Sequence, residues 1–239
     1  MRAEEARATM LDLFPEGFEE LEVSDGVELV AYTDAGGEER LWAAFGGVTA
    51  TDIEEGWQDR WRRFHRPVRV GALWVGPPWE QPAPDAIPVV IDPGRAFGTG
   101  AHATTRLCLE LLQGEERGSV LDVGCGSGVL AIAAAKLGFG PVVAVDNESA
   151  AIQATLTNAA ANGVAVAAYE LDARHDPLPP ADLVVANISL GAIEALAPHL
   201  TAPRVIASGY LASEAPQLPA WRKRAHREVD GWAADVLER

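Results

Sequence analysis

The sequence predicts an α/β protein: a parallel sheet covered by helices on both faces, preceded by a small α+β unit. Three observations carry that expectation. Strand-like apolar runs alternate with helix-period runs from about residue 104 to 211. A strand, a glycine-rich turn and a helix follow one another over 119–138. The tail then changes character, and its last two segments, "HREVDG" and "AADVLE", are close enough to pair antiparallel at the sheet edge.

In chain order, residues 2–14 read as a short amphipathic helix, with Ala6, Met10, Leu11 and Leu13 near helical spacing before "FPEG" stops it. "FEELEVSDGVELVAYTD" alternates apolar and polar residues around Asp25-Gly26, the dipeptide of a tight hairpin turn, and "RLWAAFGG" reads as a further strand. Thr51-Asp52 followed by Glu54 and Glu55 caps a helix through Trp57 and Trp61, placing a linker helix at 52–66 between a small domain at 1–51 and a larger one at 67–239. "VRVGALWVGPP" and "PVVID" are short strands around a proline-rich stretch. "TTRLCLELLQ", "GVLAIAAAKLG" and "SAAIQATLTNAAANG" are helices, and "SVLDVG", "PVVAVD", "AVAAYELDA", "ADLVVANI" and "RVIASGYL" are strands. Further helices are expected near 190–200 and around "APQLPAWRKRA".

Composition narrows the function classes. A formal net charge of -16 argues against a surface built to grip nucleic acid, which needs clustered lysine and arginine, and favours a basic partner. The arginines of "WQDRWRRFHRP" read as the solvated side of a helix. No run approaches the roughly 18 apolar residues of a membrane span, and "MRAEEARATM" lacks the apolar core of a secretory signal, so the expected compartment is the cytoplasm. Two cysteines, Cys108 and Cys125, and five scattered histidines supply neither a disulfide framework nor zinc-ligand spacing.

The chemistry concentrates in "VLDVGCGSGVLAIAAAKLG" at 120–138. A strand ends in Asp122, and glycines follow at 124, 126 and 128 before the helix, so a ligand can approach the backbone at the carboxyl end of the strand. A dinucleotide turn, G-x-G-x-x-G, would need glycine where Val129 stands, and there is no Walker lysine. Asp146, at the end of "VVAVD", is placed to accept hydrogen bonds from ribose hydroxyls or to cap the helix that follows. Asp172 in "LDA" ends the following strand, where an aspartate can cap a turn, and Asn187 in "VVANISL" either orients an amine or caps the next helix.

D-x-G-x-G-x-G after a strand resembles motif I of class I S-adenosylmethionine-dependent methyltransferases, a Rossmann-like fold with a seven-stranded sheet and an antiparallel edge hairpin. Together with "DPGRAFGTGAHATT" at 92–105 and Asn187-Ile188, the second unit resembles the PrmA family, the methyltransferases of large-subunit ribosomal protein L-eleven. The resemblance is specific over about 52–200. It implies S-adenosyl-L-methionine as cofactor, contacted by Phe97, Thr99, Gly100, Thr105, Asp122, Gly124, Cys125, Gly126, Gly128, Asp146, Asp172 and Asn187, with Phe97 and its neighbours closing over it. Asn187 and His102 are the implied catalytic residues. The implied partner is a basic ribosomal protein, methylated on lysine or amino-terminal amines by a monomeric enzyme without nucleic acid or membrane. The family's small domain resembles a ferredoxin-like sandwich whose first strand has no counterpart here, since the chain as given opens on a helix.

Ile188-Ser189 departs from the Asn-Pro-Pro-Tyr of methyltransferases acting on base amines or glutamine, which removes an aromatic platform for a flat substrate. Three rival readings remain open at this point: transfer to another protein or small-molecule amine, a nicotinamide-dependent oxidoreductase on a related fold, and a cofactor-binding module without catalysis.

Overall fold

The computed structural model describes residues 65–92 and 100–239 and, within the first fifty, 6, 9, 10, 13, 14, 18–23, 26–31, 33 and 35–50. The chain divides into two compact units, Met1–Asp59 and Arg60–Arg239.

In the first unit, β1 (Glu19–Val23) pairs antiparallel with β2 (Gly26–Val30), with Val23 opposite Gly26. Gly26 therefore opens the second strand rather than sitting at the centre of the turn. Ala6, Thr9, Met10 and Leu13 carry helical backbone, Met10 and Phe14 are buried, and the Arg40 guanidinium lies 5.9 Å over the Phe14 ring. The strand expected at "RLWAAFGG" is instead the end of helix α1 (Ala35–Phe45). Leu41, Ala44 and Phe45 are half-buried and Trp42 and Ala43 exposed, a spacing of three and four that only a helix turns inward. Residues 52–64 of the expected linker helix lie outside those described, and its last two positions, His65 and Arg66, have no regular structure.

The second unit opens with a small sheet: β3 (Val68–Val70) antiparallel to β4 (Leu73–Gly76), which runs parallel to β5 (Ile87–Val90). Its body alternates α2 (Ala103–Gln113), β6 (Val120–Val123), α3 (Val129–Lys136), β7 (Val142–Asp146), α4 (Ser149–Asn162), β8 (Ala167–Glu170), β9 (Leu183–Asn187), α5 (Leu190–Leu196) and β10 (Arg204–Leu211). Then come β11 (Arg222–Val229) and β12 (Trp232–Glu238). The seven-stranded order is β11-β12-β10-β9-β6-β7-β8, parallel from β10 to β8, with β12 antiparallel to both neighbours.

β6 is buried along its length and β9 up to Asn187 because helices cover both faces, which is why they read as near-continuous apolar runs. One core lies under α2, α3 and α4, and a second under α5. Order reverses between β6 and β9, so a crevice opens at their carboxyl ends, where open α/β sheets bind ligands. The helix expected over 215–225 is absent: Pro216 and Pro219 interrupt the stretch, and the chain enters β11 at Arg222. The last strand also lies one place inside the edge, between β10 and β11. Among the described residues, no helix is long and apolar enough to cross a membrane.

Candidate active site

Three strand ends build the site. β6 runs into the turn Gly124-Cys125-Gly126-Ser127-Gly128, whose glycines at 124, 126 and 128 all have positive φ. A Cβ on Gly128 would stand 2.8 Å from the Thr155 hydroxyl and 3.0 Å from the Thr155 Cα, so glycine is required there for close approach as well as conformation. The turn is tied to β7, since the Gly124 and Cys125 amides donate to the Val145 carbonyl at 2.9 and 3.2 Å. Asp146, ending β7, accepts from the Gly126 amide at 3.0 Å and from the Glu148 amide at 3.1 Å. Its carboxylate is thereby held at the mouth of the turn.

Opposite, Asn187 ends β9, and its Nδ2 donates to the hydroxyl of Thr105 in the first turn of α2 at 3.3 Å. These groups share one cavity of about 300 Å³, lined by Thr105, Gly124, Cys125, Gly126, Val129, Leu130, Asp146, Asn147, Glu148, Ala150, Ala151, Asn187 and Ile188. Six expected cofactor contacts, Thr105, Gly124, Cys125, Gly126, Asp146 and Asn187, the last also expected to be catalytic, thus converge on a single space.

Other expected site residues are placed differently. Asp122 lies beneath the cavity, buried, with Oδ2 accepting from the Ala131 amide at 3.0 Å and Oδ1 without a partner among the described residues. Burial, reinforced by the Asp146 charge, pushes its pKa up to about 7. Gly128 caps α3. Gly100 is buried against Val75, with φ +87. His102 caps α2: its Nδ1 stands 3.4 Å from the Thr104 amide and 2.8 Å from the Thr104 hydroxyl, and its ring packs edge-on against Trp232 at 4.9 Å. Asp172 lies beyond the end of β8, where it accepts from the Arg174 amide and side chain and meets His175 at 3.0 Å. The Arg174 hydrogen bonds hold its carboxyl well below the usual range. It does the work of a turn residue. Burial pushes the Cys125 thiol up to about 12, which keeps it a neutral wall group at ordinary pH. Phe97 and Thr99 lie outside the described residues.

The sequence reading missed the underside of the site. Thr155, Asn158 and Asn162 form a buried polar stripe along α4. Thr155 donates to the Gly126 carbonyl at 3.1 Å. Asn158 donates to the Ser127 carbonyl at 2.9 Å and accepts from the Asp92 amide at 3.0 Å, and Asn162 brackets Val90 through both its amide and its carbonyl. Polar residues at i, i+3 and i+7 inside "TLTNAAAN", where a core-facing stripe of that period is normally apolar, were the available signal.

Fold and cavity are those of the class I methyltransferases: the sheet order, the glycine turn at the switch point and the carboxylate ending the next strand occur together. The chain belongs to the ribosomal protein L11 methyltransferase (PrmA) family, whose model matches residues 19–229. It is 43% identical over 194 residues to the ribosomal protein L11 methyltransferase of Azotobacter vinelandii, covering 75% of this chain and 66% of that one. Against the protein of the same name from Aeromonas hydrophila it is 45% identical over 176 residues, covering 69% and 60%. The chain thus spans slightly under two thirds of the length of the curated relatives it matches. A crystal structure of a ribosomal protein L11 methylase from Lactobacillus delbrueckii subsp. bulgaricus superposes with a TM-score of 0.67 at 30% identity, covering 73% of this chain and 99% of that one. The Pyrococcus abyssi tRNA (uracil-54, C5)-methyltransferase, solved with S-adenosyl-L-homocysteine, shares the fold with a TM-score of 0.51 at 17% identity, covering 73% and 44%.

Proposed function

We propose that the protein transfers methyl groups from S-adenosylmethionine to amines of ribosomal protein L11, on lysine side chains or the amino terminus. The observation that carries this reading is the Asn187–Thr105 pair facing the glycine turn and Asp146 across one cavity. The residues present fit the cofactor. Gly124 and Gly126 line the cavity with positive-φ backbone and no side chain, and the Asp146 carboxylate is fixed by two amides with room to accept ribose hydroxyls. Gly126 and Glu148 flank that end, while Thr105 and Asn187 take the end where an acceptor enters. When bound, the cofactor would supply an electrophilic methyl on a sulfonium: an acceptor ammonium that had released its proton to solvent would form the N–C bond as the S–C bond broke, leaving a thioether and a methylated ammonium.

The chain's own part is to present a neutral amine. Deprotonating a free lysine at pH 7 costs about 4 to 5 kcal/mol, and exclusion of water around the cavity lowers that cost by disfavouring ammonium. The Asn187 side-chain oxygen, given no donor by the described residues, is left to accept from the acceptor nitrogen, because it is the Nδ2 that donates to Thr105. That division fixes the amide's orientation and aligns the lone pair. Ile188 offers an aliphatic wall suited to a lysine stem rather than a flat base. We assign acceptor recognition to residues 1–51, joined by 52–66 to the methyltransferase domain at 67–239. A net charge of -16 favours a basic acceptor over nucleic acid.

Incubating the protein with methyl-labelled S-adenosylmethionine and purified L11 should label L11. Asn187→Ala should lower turnover by roughly 100-fold with little change in cofactor affinity. Unlabelled L11 with a labelled small-molecule or other protein amine would redirect the substrate, and binding of NAD in place of S-adenosylmethionine would overturn the reaction class.

A further inference from the structure

Gly209 lies in β10 where the pairing with β12 slips. Ser208 pairs with Ala234 and Tyr210 with Ala233, so Gly209 bulges from the ladder, with φ +104. A Cβ at this position would stand 2.1 Å from the Ile188 carbonyl oxygen, 2.7 Å from its carbonyl carbon and 3.0 Å from its nitrogen. All three are main-chain atoms and cannot swing aside as a side chain would. The Ile188 amide also donates to the Ser208 carbonyl at 3.0 Å, and Ser208 is the register partner of Asn187. On the opposite side the Ile188 side chain lies over Gly124, where a Cβ would meet Cγ2 at 2.4 Å. The peptide following Asn187 is therefore seated between two places that hold no side chain.

We infer that Gly209 is a positioning residue for methyl transfer: its bulge receives the main chain of Ile188 and so fixes the direction in which Asn187 presents its amide to Thr105 and the cavity. The inference rests on the proposed role of Asn187 in orienting the acceptor amine. It separates two uses of glycine that are usually confounded. Gly231, in the turn between β11 and β12, also has positive φ, at +78, but a Cβ there would meet nothing within 4 Å. Alanine at 231 costs backbone conformation alone, whereas alanine at 209 must also displace Ile188.

The test compares Gly209→Ala, Gly231→Ala and Asn187→Ala for kcat, acceptor KM, cofactor dissociation constant and melting temperature. Gly209→Ala should lose between about 10- and 100-fold in kcat while keeping its cofactor affinity, because the Gly126 and Asp146 end of the cavity is held by β6 and β7. Gly231→Ala should melt earlier and turn over normally. Wild-type kcat in Gly209→Ala, loss of cofactor affinity in step with kcat, or an equal loss in Gly231→Ala would each overturn the inference. If Gly209→Ala does not fold, Ile188→Gly frees the same peptide from its other partner. It should lower kcat at constant cofactor affinity, and unchanged kcat would count against the seat. Normal turnover in Asn187→Ala would remove the acceptor reading itself, whereas loss there with none in Gly209→Ala would remove only the role of Gly209.

Discussion

Asp122 on β6 and Asp235 on β12 belong to the same sheet and are almost wholly buried, at 1% and 0% exposure, yet their surroundings differ in kind. Asp235 is saturated. The Tyr210 hydroxyl donates to its Oδ2 at 2.9 Å, while His226 Nδ1 and Lys223 Nζ meet its Oδ1 at 2.6 and 2.9 Å. Nearby, the buried Glu115 is matched by Arg204 at 3.1 Å and by Arg224. Asp122 has one backbone donor and, among the described residues, one oxygen with no partner, and the charge that raises its pKa further, that of Asp146, has the same sign. The antiparallel edge has thus been built for stability, and the parallel centre under the cavity holds an unfavourable group in place. Buried polar atoms left unmatched are rare, and they concentrate where a site demands them.

The largest expected effect follows from breaking the saturated member. Asp235→Ala strips Tyr210, His226 and Lys223 of their common acceptor and opens space between β10 and β11. It should cost about 3 kcal/mol of folding stability at pH 7, read as a lower midpoint in urea denaturation. The catalytic constants, measured well below the new midpoint, should stay close to normal. A loss under about 1 kcal/mol would mean the network is no more than a surface ion pair.

These two carboxylates were not equally legible in the sequence. Asp122 stands in a local pattern, with strand before it and glycines after it at 124, 126 and 128, so spacing alone gave it a place. Asp235 sits in "WAADVLE", where nothing local marks it. Its partners come together only because the last strand inserts between β10 and β11, and insertion is a tertiary event. For the same reason the parallel sheet and its switch point are legible from alternation, while the end of α1 carries a strand-like pattern and the stretch at 215–225 a helix-like one. In α1 the half-buried set Leu41, Ala44 and Phe45 is short enough to mimic other periods. At 215–225 the arginines and lysine look helical until β12 supplies Glu238 and Asp235 for them to pair with. His102 and Asp172 show the other limit. His102 caps α2 and Asp172 accepts from the Arg174 amide two residues on, local contacts that their spacing from the motif does not disclose.

A second experiment tests the unsaturated member, with the opposite sign. The folded-state pKa of Asp122 is raised from an ordinary 3.8 to about 7. Below about 4 both folded and unfolded chains hold the proton, and between there and about 7 only the folded chain does. Its contribution to stability is therefore full in acid and lost as pH rises through 7. Asp122→Asn keeps an acceptor for the Ala131 amide and removes the charge, so it should stabilise the fold at pH 7 by about 2 kcal/mol. The gain should shrink as pH falls towards 4. Melting temperatures of both proteins across that range give the difference directly, and a gain independent of pH would mean that titration of this carboxyl is not its source.

The smallest effect refines the contrast at the edge. His226 is bracketed by Glu228 at 2.7 Å and Asp235 at 2.6 Å, with Lys223 opposing from the same strand, and the carboxylates raise its pKa above the usual value. A raised histidine pKa contributes stability that is complete below its unfolded pKa, near 6.5, and disappears as pH rises through the folded one. The imidazole is 38% exposed, so solvent screening holds the contribution under about 1 kcal/mol. His226→Gln should therefore lower the melting temperature slightly at pH 6 and not at all at pH 9, a slope of the same sign as that of Asp122 but from the opposite cause. Asp122 loses stability with rising pH because a charge appears without a partner, and His226 because a charge with two partners disappears. Equal melting differences at pH 6 and pH 9 would assign the His226 contribution to packing instead.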